Sequence, residues 1–190
     1  MKLLIAGDSF AADWTVKYKD VIGWPNMLSS MFDTTNVAES GVSEYKILKQ
    51  IGSVDINSFD ALIISHTSFS RVHTKQHPFY KNDLLHYNCD LILSDLEAKR
   101  DLTPSAKAAW GYYKYHFDES YYKDIYNLLR EKINFLSKNI NICVSINNFD
   151  PNDTDISFRE LLFSHRGNIN HFNKKGNEIV FKNVLNHLRS

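Results

Sequence analysis

The sequence predicts an α/β fold, a three-layer α/β/α sandwich around a doubly wound, mostly parallel sheet, and three observations predict it. Short apolar runs recur along the chain, amphipathic stretches of helical spacing lie between them, and the first run ends in Gly7-Asp8-Ser9-Phe10, where strand carboxyl ends open into a ligand crevice. Strands are expected at residues 3–6, 35–38, 61–65 and 140–146. Ala61-Leu62-Ile63-Ile64 and Ile142-Cys143-Val144-Ser145-Ile146 are nearly continuous in apolar character, as strands covered by helices on both faces require. Residues 118–137 place Tyr122, Ile125, Tyr126, Leu129, Ile133 and Leu136 on one helical stripe and leave Lys123, Arg130 and Glu131 for the opposite side. The last stretch repeats the pattern with Phe181, Val184, Leu185 and Leu188. Right-handed crossovers then restrict the topology. Residues 70–117 are more than one crossover helix needs, so a partly helical insertion is expected there, shaping a substrate site like a lid.

Bulk composition narrows the function classes. With 190 residues the chain suits one domain. Lys plus Arg and Asp plus Glu both count 22, so no net charge draws the protein to nucleic acid or an anionic membrane. The opening apolar run is too short for a signal-peptide core, and no run is long enough to span a bilayer. Cys89 and Cys143, both in or beside apolar segments, read as thiols of a cytoplasmic protein.

The chemistry-bearing residues sit near the two ends of the sequence. Ser9 follows the first strand, and His171 stands in Asn168-Ile169-Asn170-His171, ahead of Gly176 and an amphipathic helix. A serine hydroxyl is a poor nucleophile until an imidazole within hydrogen-bond reach takes its proton. Gly7-Asp8-Ser9-Phe10, Ala38-Glu39-Ser40-Gly41-Val42-Ser43 and His171-Phe172-Asn173-Lys174-Lys175-Gly176 together resemble, in order and across most of the chain, the sequence blocks of the SGNH (GDSL-like) hydrolases. These are esterases, lipases, thioesterases and carbohydrate acylesterases or acyltransferases on a flavodoxin-like sandwich. The resemblance implies Ser9 as nucleophile, His171 as general base, and the Ser9 and Gly41 amides as oxyanion donors, worth roughly 3 kcal/mol each where such donors have been removed. Asp8 is expected to brace the turn.

Two positions depart from the family pattern. Three residues before the histidine the family usually carries aspartate, whereas this chain has Asn168. An asparagine carbonyl accepts Nδ1–H and orients the ring but does not offset an imidazolium charge. Asp150, Asp153 and Asp155 are alternative carboxylates in the preceding loop. After the third strand the family's oxyanion asparagine is missing from Ser65-His66-Thr67-Ser68-Phe69-Ser70-Arg71. Thr67 or Ser68 is the replacement donor expected there, with Arg71 and His66 as substrate-binding candidates.

Competing readings attach to the other histidines and the tyrosines. His165 is a rival base without the downstream glycine and helix. His73, His77, His86, Cys89 and Asp90 suggest a metal, but Pro78 disfavours a helical His73/His77 pair and no zinc spacing is present, so no metal or organic cofactor is expected. Tyr122 and Tyr126 belong to the core stripe, while Tyr112, Tyr113 and Tyr115 remain open and Tyr112 is a substrate-binding candidate. The sequence therefore predicts a serine esterase acting on a small or carbohydrate-linked acyl ester. The alternatives are a sugar O-acyltransferase and an inactive binding protein of the same fold.

Overall fold

Trp24, Leu28, Val180 and Val184 bury one face of the sheet, and Ile47, Ile51 and Ile133 bury the other. The computed structural model of the chain describes all residues except 81, 99–102, 151–153, 155 and 170. Four parallel strands, β1 (Lys2–Gly7), β2 (Asp33–Asn36), β3 (Ala61–His66) and β4 (Ile142–Asn147), lie in the order β2-β1-β3-β4. Alternate residues of one strand face opposite layers. Leu3 and Ile5 accordingly meet α1 (Trp24–Ser29) and α7 (Lys174–His187), while Leu4 and Ala6 meet α2 (Glu44–Gly52) and α5 (Glu119–Ser137). This is a three-layer α/β/α sandwich.

The register pairs Leu3 with Thr34 and Ala61, Gly7 with Ser65, and His66 with Asn147. Strand order reverses between β1 and β3, so the crevice at a topological switch point opens above Gly7 and Ser65. Ile156 adds a single parallel bridge beside Ile146 at the outer side of β4. β2 begins two residues before the expected segment. Its ladder nevertheless continues past Asn36, because the Val37 amide donates to Ile5 and the Glu39 amide to Gly7. Arg130, expected on the solvent side of α5, is instead buried, with its guanidinium over the Tyr126 ring at 5.7 Å. A long aliphatic stem lets an arginine lie along apolar surface, which a charge-based assignment of faces overlooks.

The insertion carries α3 (Leu93–Glu97) and α4 (Pro104–Tyr115), and Leu96, Ala106 and Tyr113 form their own small core. Among the described residues, no helix is long and apolar enough to cross a membrane.

Candidate active site

Gly7 decides where Ser9 goes. Its φ is +148°, and a Cβ there would lie 2.6 Å from the Ser65 carbonyl oxygen, so only glycine lets β1 approach β3 this closely as the chain leaves the sheet. The turn is then braced from several directions. Ala11 and Ala12 donate to the Asp8 carbonyl, and the Phe10 amide and the Ser65 hydroxyl donate to the Asp8 carboxylate oxygen Oδ1 at 3.1 and 3.0 Å. Two indoles complete it, Trp14 donating to the Ser9 carbonyl at 2.9 Å and Trp24 to the Phe10 carbonyl at 2.8 Å. Burial lifts the Asp8 carboxyl to about 7, against the opposing pull of these hydrogen bonds and of Arg71.

His171 arrives from the other end of the chain. The segment before α7 folds back on itself, with Arg166 bridging Phe172 and the Gly167 amide donating to the His171 carbonyl. Asn173 caps α7 through the Gly176 amide, and Asn177 donates to the Phe172 carbonyl while accepting from the Trp24 amide. One asparagine thus ties the histidine loop to α1.

The result is a distance of 2.7 Å between His171 Nε2 and Ser9 Oγ. Phe10 stacks on the imidazole with ring centroids 3.8 Å apart, and Trp14 meets its edge. Desolvation disfavours the imidazolium, and the electrostatic interactions with Arg71, His86 and Arg166 add to the effect, lowering the His171 pKa to about 4. A neutral imidazole at that distance is able to take the serine proton at pH 7.

Gly41 lies in the loop after β2, two residues past Glu39, whose amide reaches the Gly7 carbonyl. Its φ is +74°, and a Cβ would stand 2.7 Å from the Cys89 Cβ. Its carbonyl is fixed by the Asp90 amide and by Arg71, at 2.8 and 3.0 Å. Among the described residues, no acceptor engages the Ser9 or Gly41 amide. Thr67 is buried with its hydroxyl unpartnered among the described residues, and its amide is turned toward Glu44. Ser68 pairs instead with the Ser70 hydroxyl at 2.7 Å.

The remaining candidates are distributed differently. Asn168 lines the cleft beside His171 but is exposed and makes no hydrogen bond to His171. Asp150 is described, its amide donating to Asn147 at 2.9 Å, whereas Asp153 and Asp155 lie outside the described residues. His66 is buried and joined to Glu44 at 2.7 Å, bracing the end of β3. Arg71 holds loop carbonyls at Gly41 and Asp90. Tyr112 hydrogen-bonds the Tyr122 hydroxyl, between α4 and α5, so it packs the insertion onto the sandwich. The rival base His165 places its Cβ and carbonyl against Gly176.

The histidines of the insertion take protein partners. Asp90 is fully buried and receives Lys46 at 2.8 Å, His73 at 3.2 Å, and the Ser43 and Thr74 amides. No group of three or more His, Cys, Asp or Glu side chains converges as a metal site among the described residues, and neither cysteine is in a disulfide.

Beside Ser9 and His171 opens a cleft of about 520 Å³ lined by Phe10, Trp14, Phe149, Leu162, Arg159 and Arg166 among others. Sequence reasoning assigned none of these a role. Phe149, Arg159, Leu162 and Arg166 come from the segment ahead of His171, where aromatic and basic residues stand close together, which was the available signal, while Phe10 and Trp14 follow Ser9. Nothing in sequence pairs Glu44 with His66, because that contact arises only when α2 packs against the end of β3. Comparison with protein-family models, with curated proteins and with solved structures returns no match to this chain.

Proposed function

We propose that the protein is a serine hydrolase of the SGNH type that cleaves a small acyl ester through an acyl-enzyme on Ser9. The observation that carries this reading is the 2.7 Å contact between Ser9 Oγ and a half-buried His171 whose pKa is lowered. Ser9 Oγ attacks the ester carbonyl carbon while its proton passes to His171 Nε2. The carbonyl oxygen becomes an oxyanion, for which the Ser9 and Gly41 amides and the Thr67 hydroxyl are the candidate donors. Collapse breaks the carbon–oxygen bond to the alcohol, which leaves with the proton from His171. Water then attacks the acyl-serine, giving its proton to His171, and the acid departs as Ser9 recovers its hydrogen.

Labelling with a fluorophosphonate tests the proposal. The wild-type protein is expected to label at Ser9, and Ser9→Ala and His171→Ala to lose labelling while keeping their circular dichroism. A folded wild-type protein that stays unlabelled would count against the hydrolase. In the transferase alternative a sugar hydroxyl replaces water, so added sugar would divert product from free acid to acylated sugar.

A further inference from the structure

The cleft beside Ser9 has a chemical character of its own. Phe10, Trp14, Phe149, Leu162 and Phe163 make its walls apolar, and Phe163 is 86% exposed, an unusual state for a phenylalanine on a short helix. Two arginines line the same space. Arg159 stands just before α6 (Leu161–Ser164) and Arg166 just after it, so one short helix delivers both to the cleft.

Neither arginine has an ion-pair or side-chain hydrogen-bond partner among the described residues, and no described carboxylate lines the cleft. The positive charge of Arg166 is felt at the imidazole, where it helps to keep His171 unprotonated. Cations beside a concave apolar surface lack the full screening of open water, so an anion held there gains more than one on a flat surface. Guanidinium groups also suit the oxygens of carboxylate and phosphate, and their hydrogen bonds to such anions are about twice as strong as neutral ones.

We infer that the substrate combines an apolar body with a terminal anionic group, a carboxylate or a phosphate, which Arg159 and Arg166 bind while the apolar part lies on Phe10, Trp14 and Phe149. The inference rests on the hydrolase reading for the word substrate, but the anion site is measurable without turnover.

Calorimetric titration of the Ser9→Ala protein with three probes provides the test: dimethyl adipate, monomethyl adipate and hexyl phosphate. At about 50 mM salt at least one charged probe is expected to bind about 10-fold or more tightly than the neutral diester, with the advantage shrinking at about 0.5 M salt. The better of the two charged probes identifies the class of anion. Replacing both Arg159→Gln and Arg166→Gln in that background is expected to abolish the difference, and both side chains are exposed enough for the fold to survive, as circular dichroism would check. Equal affinity for charged and neutral probes, no binding of any probe, or a preference that persists in the double variant would overturn the inference. A wild-type protein that fails to label with the fluorophosphonate while the anion preference is intact would instead break the hydrolase reading alone.

Discussion

His171 meets Ser9 as a neutral ring because desolvation disfavours its charged form and the interactions with Arg71, His86 and Arg166 act in the same direction. The pH dependence follows directly. The base is competent wherever it is unprotonated, so kcat/KM for an uncharged ester is expected to reach half its plateau near pH 4, not near the 6.5 of a solvated histidine. A half-point near 6.5 would show that the ring is solvated and the depression absent. Stability moves with the same group. Its folded pKa lies below the unfolded value, so its contribution is complete above 6.5 and lost as pH falls toward 4. Asp8 acts in the opposite sense, since its carboxyl is raised from 3.8 to about 7 and its contribution is lost as pH rises through that range. Asp8→Asn keeps the Oδ1 acceptor for Phe10 and Ser65 and removes the opposing titration. Its Tm should therefore climb from pH 4 to 6.5 more steeply than that of the wild type.

Among the elements, the loop 41–43 depends on a partner far away in sequence. Asp90 binds the Ser43 amide, receives Lys46, and through its own amide fixes the Gly41 carbonyl, so a fully buried carboxylate of the insertion holds the candidate oxyanion loop. Asp90→Ala leaves the Lys46 ammonium without its carboxylate in a site where that side chain is 11% exposed. Removing one partner of a buried pair costs about 3–5 kcal/mol, which urea unfolding would register, and slower labelling of Ser9 is expected to accompany it. An unchanged urea midpoint would mean that the Asn88 and Thr74 carbonyls serve Lys46 without the carboxylate. Nothing in the sequence announced this brace. β1 and β3 were legible because both their faces are buried and read as apolar runs, and the edge strand β4 because Val144 and Ile146 pack into the core, although Cys143, between them and the strand start, is exposed. β2 was displaced by two residues because an edge strand of Asp-Thr-Thr-Asn is held by its backbone ladder and not by apolar burial. Ser9 and His171 were legible because each stands at a glycine-marked element boundary. Arg159 and Arg166 became a pair only once α6 set their ends on one cleft, and the Glu44–His66 contact required two elements to pack.

At the scale of the whole molecule, the candidate site exists because the first strand and the last helix share one core. Val180, Val184 and Leu188 belong to the same buried cluster as Leu3, Ile5, Ile63 and Val144, and Asn177 adds a hydrogen bond to the start of α1. Detaching α7 would expose that face of three strands at once, at about 25 cal/mol for each Å² of apolar surface returned to water. Local opening of such an element is no easier than unfolding the sandwich, in contrast to a helix that packs only on its neighbour. The expectation is therefore a single transition. In rising urea, the fraction of protein that reacts rapidly with a fluorophosphonate should fall with the same midpoint as the helical circular dichroism, because Ser9 loses His171 only when the core opens. A loss of labelling at clearly lower urea, with the dichroism intact, would show that α7 undocks by itself and that the contact between the chain's ends is weaker than its burial implies.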